Sequence, residues 1–211
     1  AANPVMLLHL IGGMHNEAVM VGLVSVGLLW CLRSRWCTPG IALIALAVSL
    51  KATAAVALPF VVWLMVKRRS ATTLGAAGML AVCGAWALAV NVAVIQLVTW
   101  ASGTTWGWLE EITGNSKVIN PLAGPTLAAE LITPVLQLFD DTFRYNTALT
   151  WTRTIFSALM LVGLAVVWWI FRPRRGEGYE RRAVAGTTAA YAVAFATNAV
   201  TLPWYYASVI S

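Results

Sequence analysis

An imidazole, an amide and a carboxylate follow one another at His15-Asn16-Glu17, six residues after His9 and across the pair Gly12-Gly13. Each neighbouring stretch is apolar. Ionisable groups at membrane depth are costly and tend to face a cavity or a partner, which makes this cluster a candidate site. A carboxylate beside an imidazole suits proton acceptance from a hydroxyl, with His supplying hydrogen bonds or a compensating charge. The same residues serve structure equally well, with the histidines meeting helix-end carbonyls and Glu17 in the first turn of a helix over 18–32. A metal site is disfavoured. His15 and Glu17, two apart, do not share a helix face, and no H-E-x-x-H motif occurs, so no metal or other cofactor is assigned.

Lys51 is the second candidate, the lone charge in the apolar run 40–66. A compact ammonium is a common phosphate binder, and a lipid-phosphate substrate would need one at this depth. The alternative is a lysine that snorkels to an interface along its own aliphatic stem. At the chain's far end, Trp204 and Tyr205 in Leu202-Pro203-Trp204-Tyr205-Tyr206 could stack on a sugar or anchor among lipid headgroups. Asn198 reads as a helix–helix hydrogen-bonding residue. Glu110-Glu111 and Asp140-Asp141 read as solvated loop charges, and Arg144 and Arg153 as interface anchors.

The elements that position these groups follow from composition. The chain has 211 residues, 60% hydrophobic and 10% charged, with 11 Trp. Average soluble chains run about 45–50% apolar and about 25% charged. Three cysteines give no disulfide framework. The net charge of +6 sits in short clusters between apolar runs, a membrane pattern rather than a nucleic-acid face. Apolar runs cover 5–11, 18–32, 40–66, 73–100, 151–171 and 183–202, and no strand alternation appears. The expectation is an all-α, polytopic transmembrane helix bundle. It forms a single domain over 1–211, with an outer loop over 101–150, as part of a longer chain.

Charge orients it. Arg33 and Arg35, then Lys67, Arg68 and Arg69, then Arg172, Arg174, Arg175, Arg181 and Arg182 occupy three short turns, whereas 101–150 holds Lys117 and Arg144 against five carboxylates. Excess Lys/Arg marks the cytoplasmic side. With the first two turns on one side, 40–66 must enter and return as a re-entrant hairpin broken at Lys51-Ala52-Thr53. Strict alternation of spans also satisfies the charge bias. The hairpin is preferred because a lysine at a break can line a cavity. Trp30, Trp36, Trp63, Trp168 and Trp169 then fall at the inner interface, and Trp100, Trp106, Trp108, Trp151 and Trp204 at the outer one. Residues 126–139 predict a surface helix kinked at Pro134, with Glu130, Thr133 and Gln137 on one stripe and Leu and Ile opposite.

The stretch from Asn3-Pro4 through His9-Leu10-Ile11-Gly12-Gly13-Met14-His15-Asn16-Glu17-Ala18 resembles the polyprenyl-phosphomannose-dependent α-(1→6)-mannosyltransferases of mycobacteria and corynebacteria. The run Leu50-Lys51…Leu58-Pro59 before a basic turn, and Leu202-Pro203-Trp204-Tyr205, are similar to later blocks of that family. Glu17 stands where the family has Asp, which keeps the acid. The resemblance covers the whole chain as an internal or C-terminal portion of a longer protein.

It implies a GT-C type membrane glycosyltransferase, multi-pass in the plasma membrane, with its active side outward. The donor would be polyprenyl-phosphate mannose and the acceptor a mannosylated lipid of the lipomannan and lipoarabinomannan type, with no nucleic acid. The family's catalytic base is expected in an outer loop upstream of Ala1. Lys51 is then expected at the donor phosphate, and His9, His15, Asn16, Glu17, Trp204 and Tyr205 around the donor or sugar pocket. The competing expectation is a multi-pass transporter or flippase for a lipid-linked or small solute, which a broken helix with a buried lysine also suits.

Overall fold

A computed structural model describes residues 16–69, 75–107, 119–174 and 178–198. Every regular element among them is helical: α1 (Glu17–Arg33), α2 (Thr38–Leu50), α3 (Leu58–Arg68), α4 (Ala76–Ala101), α5 (Gly124–Gln137), α6 (Tyr145–Ile170) and α7 (Glu180–Thr197), with a 3-10 helix at Ala52–Ala57. Two of them, α4 and α6, are long and apolar enough to cross a membrane. α6 turns Trp151, Ile155, Leu159, Val162 and Val166 outward.

The run 40–66 is broken. Pro39 and Pro59 each sit in the first turn of a helix, where a missing N–H costs nothing. Between the two helices Lys51 is extended (φ −159°, ψ 121°), and the six-residue 3-10 helix follows. Ala54 and Ala57 in that turn are fully buried, so only small side chains fit there. The chain then comes back. Arg68, at the end of α3, donates to the carbonyls of Cys31 (2.6 Å) and Leu32 (2.8 Å) at the end of α1 and to Ser34 (2.6 Å) before α2. The C-termini of α1 and α3 and the N-terminus of α2 therefore share one end of the molecule. Lys51 and the 3-10 turn lie at the other, about 24 Å away by the rise of α1.

Backbone proximity holds this unit together. A Cβ on Gly27 of α1 would lie 2.7 Å from the carbonyl oxygen of Gly40 in α2, so these helices touch where neither carries a side chain. The main core runs through α1, α2, α3 and α4, with Met20, Cys31, Ile41, Ile44, Phe60, Leu64 and Cys83 sealed inside.

The remaining basic turn joins the same end. Lys67 donates to Arg174 O (3.0 Å), and Arg182 donates to Arg172 O (3.2 Å) and Ile170 O. Trp63 and Trp168 stack nearby with ring centroids 4.9 Å apart.

Within 101–150, α5 packs on α6 through Ala129, Ala148 and Leu149. The polar stripe expected there is divided. Thr133 is buried and returns its hydroxyl to Ala129 O (2.6 Å), Gln137 donates to Phe143 O (3.0 Å), and Glu130 is exposed. Small residues such as Thr126 and Ala129 form the packed face, while Leu131, Val135 and Leu138 point outward. Close packing against α6 favours the small side chains, so the apolar face is the one left open.

Candidate functional site

Glu17 opens α1, where the helix N-terminus favours a carboxylate. Its side chain is not on the surface; the residue is 3% exposed. Lys51 ends α2, and the extended backbone there lets its side chain cross to α1, so that Nζ meets Glu17 Oε1 in an ion pair. Thr53 in the following turn donates to Met20 Sδ (3.6 Å), a second tie between the break and the first turn of α1. Residues thirty-four apart in sequence thus form the polar focus of this end. A buried carboxylate and ammonium hold one another only with good geometry and further hydrogen bonds, and one partner here is incomplete. Glu17 Oε2 is buried and has no hydrogen-bond partner among the described residues. The Lys51 side chain stays 20% exposed.

Two sequence candidates, Glu17 and Lys51, therefore meet, and Asn16 adjoins them as the residue before α1. His9, His15, Trp204, Tyr205 and the pair Glu110-Glu111 lie outside the described residues. Asp140 and Asp141 are exposed. The Thr142 hydroxyl and then its N–H hold the Asp140 carboxyl below the usual carboxylate range, which marks a turn-closing residue. No group of three or more His, Cys, Asp or Glu among the described residues could hold a metal ion.

Near Lys51, a cavity of about 430 Å³ is lined by Ser49, Thr99, Ser102, Thr104 and Thr105. Its hydroxyls are partly committed to the end of α4, with Ser102 Oγ on Thr99 O (3.1 Å) and 2.8 Å from Thr104 Oγ1. Trp106, beside it, donates to Gln96 Oε1 (2.9 Å).

At the basic end a larger cavity, about 710 Å³, opens between the α1–α2 turn, the end of α3 and the start of α4. Arg35, Arg68 and Arg69 line it together with Cys37. A hydrogen bond with Cys31 first, then the Arg68 and Arg69 charges, outweigh burial and bring the Cys37 thiol down to about 7. Sequence patterning reads these arginines as orientation signals only. The hairpin return is what gathers them, and no local spacing announces it.

A family model described as "Alpha-(1->6)-mannopyranosyltransferase, N-terminal domain" matches residues 1–67. Alpha-(1->6)-mannopyranosyltransferase A of Corynebacterium glutamicum is 55% identical over 100% of this chain and 44% of its own length. The protein of the same name from Mycobacterium tuberculosis is 35% identical over 97% of this chain and 38% of its own. A probable alpha-(1->6)-mannopyranosyltransferase of Mycolicibacterium smegmatis is 28% identical over 96% and 40%. The chain thus spans about two fifths of the length of these relatives. No solved structure matches it.

Proposed function

We propose that this chain, which belongs to the α-(1→6)-mannopyranosyltransferase family and matches a segment of its members, helps form the donor site of a membrane-embedded mannosyltransferase. The enzyme moves mannose from polyprenyl phosphate to a growing α-(1→6)-mannan on a lipid of the lipomannan type, at the outer face of the plasma membrane. Three basic turns gathered at one end support this orientation, since they belong in the cytoplasm. The Lys51–Glu17 pair then lies on the outer side.

That pair is the observation that carries the reading. In transfer, an acceptor hydroxyl loses its proton to a general base and attacks C1 of mannose, the bond from C1 to the phosphate oxygen breaks, and the electron pair leaves with polyprenyl phosphate. Glu17 Oε1 accepts from Lys51 Nζ and holds the ammonium in place, and the Lys51 side chain stays 20% exposed. Such a fixed cation stabilises charge as it develops on the leaving phosphate, without reorganisation at the moment of reaction. The unpartnered Glu17 Oε2 accepts from a sugar hydroxyl, which completes its hydrogen bonding. The family resemblance adds His9, His15, Asn16, Trp204 and Tyr205 to this reading as further residues proposed to contact the donor or its sugar.

Transfer of radiolabelled mannose from polyprenyl phosphate to a mannoside acceptor by the full-length enzyme tests both levels. Lys51→Ala should lower transfer by about 100-fold or more per molecule of folded enzyme. Normal activity in that variant removes the phosphate assignment. Absence of transfer by the unaltered enzyme removes the enzymatic reading in favour of a lipid transporter, which the broken helix would also serve.

A further inference from the structure

We infer that the cavity at the basic end binds the phosphate headgroup of an anionic phospholipid in the adjoining leaflet. The inference rests on the chain being membrane-embedded, but not on sugar transfer. Three guanidinium groups reach the cavity from two elements, Arg35 from the α1–α2 turn and Arg68 and Arg69 from the end of α3. No carboxylate lines it, and none pairs with these three among the described residues.

Their donors are not equally committed. Arg68 spends its N–H groups on the carbonyls of Cys31, Leu32 and Ser34, so it offers charge rather than hydrogen bonds. Among the described residues, the Arg69 guanidinium reaches Cys83 Sγ at 3.9 Å, a poor acceptor. Arg35 takes no part in the hydrogen bonds that close this turn. Two forked donors therefore stand beside a third fixed positive charge, an arrangement suited to phosphate oxygens. The N-terminus of α2 opens at Thr38 with no side-chain cap on its first N–H groups, which adds to the positive potential.

The rim points to a lipid rather than a free anion. Trp86 donates its Nε1–H to Thr38 Oγ1 (3.1 Å) and is half-exposed, and Trp36 is 78% exposed. Indoles so placed belong at headgroup level. From the cavity wall, Val82 and Trp86 continue along α4 into an outward ridge with Ala89, Ala93 and Leu97. Acyl chains can lie on that ridge while the phosphate sits among the arginines. Basic pockets between membrane helices on the cytoplasmic side take anionic lipids in this way.

Native mass spectrometry of the full-length protein in detergent, offered phosphatidylglycerol or phosphatidylcholine, tests the site. The unaltered protein should retain phosphatidylglycerol preferentially. The double variant Arg35→Gln/Arg69→Gln should weaken that retention about thirtyfold, and Arg35→Gln alone about fivefold. Arg172→Gln, at the same end but stacked on Trp169 outside the cavity, should leave retention unchanged. Equal retention of the two lipids overturns the site, as does an undiminished double variant. An equal loss in Arg172→Gln would reduce it to diffuse surface charge, and displacement of the lipid by millimolar inorganic phosphate would make it a free-anion pocket. Should the double variant fail to fold, Arg35→Gln still decides.

Discussion

At the N-terminal end of α1 one carboxylate meets one ammonium, the carboxylate buried and the ammonium partly exposed. At its other end three arginines share a cavity that no carboxylate lines among the described residues, and one of them is tied into backbone carbonyls. Both ends lie on the same three helices, yet charge serves different purposes. In the first it is neutralised and held still, and one buried oxygen of Glu17 has no hydrogen-bond partner among the described residues. In the second it closes helix ends and accumulates. Neutralised charge can sit deep, whereas accumulated charge has to stay at an interface where headgroups or water answer it.

Breaking the pair should have the largest effect on stability. Glu17→Ala removes the carboxylate that neutralises Lys51 and should destabilise the full-length protein by about 3 kcal/mol, the low end for a buried pair because Lys51 is partly exposed. The double variant Glu17→Leu/Lys51→Met should regain most of that in thermal unfolding while transfer stays lost. If the double variant is as unstable as the single one, the pair is not what limits stability there.

At the basic end, Arg68→Gln removes a charged donor from three carbonyls and should cost about 2 kcal/mol, less than the sum of three such bonds because solvent reaches the site. Arg68→Lys should recover only part of it, since a point ammonium cannot match the fork. Full recovery by lysine would mean that charge alone, and not the geometry of the α3 return, fixes this end.

Much of this architecture is legible in sequence. Apolar runs and basic turns locate α1 and α4 to within three residues and α6 and α7 to within six, and the lone charge in 40–66 marks the break. α6 begins six residues before its apolar run, because Tyr145 to Thr150 extend the helix through polar residues that hydropathy does not register. The Glu17–Lys51 contact is not legible, although each residue stands out alone. It depends on the chain reversing at Lys51 and on α1 and α2 approaching at Gly27 and Gly40, neither of which shows as a periodic signal. Gly40→Ala should therefore force these helices apart and cost about 1–2 kcal/mol in the same unfolding assay. A neutral result would show that the close approach is not needed to bring the pair together.

The smallest effect concerns reactivity rather than stability, and it separates the ends by their local potential. Cys37 lies in the turn that lines the basic cavity, with its thiol brought down to about 7. Thiolate is the reactive form, so alkylation at this residue, followed by peptide mass spectrometry, should rise through pH 6 and level off above pH 8. An unperturbed thiol, with a value of about 8.5, would still be climbing there. Cys31 is the first cause of the lowering and the arginines come next, so Cys31→Ala should move the midpoint upward most and Arg69→Gln by less. Occupation of the cavity by an anionic headgroup would also raise the midpoint, because it cancels the charge that favours thiolate. A midpoint that stays near 7 in Arg69→Gln and in the presence of phosphatidylglycerol would assign the shift to the Cys31 hydrogen bond alone and leave the arginine cluster without influence on its own cavity.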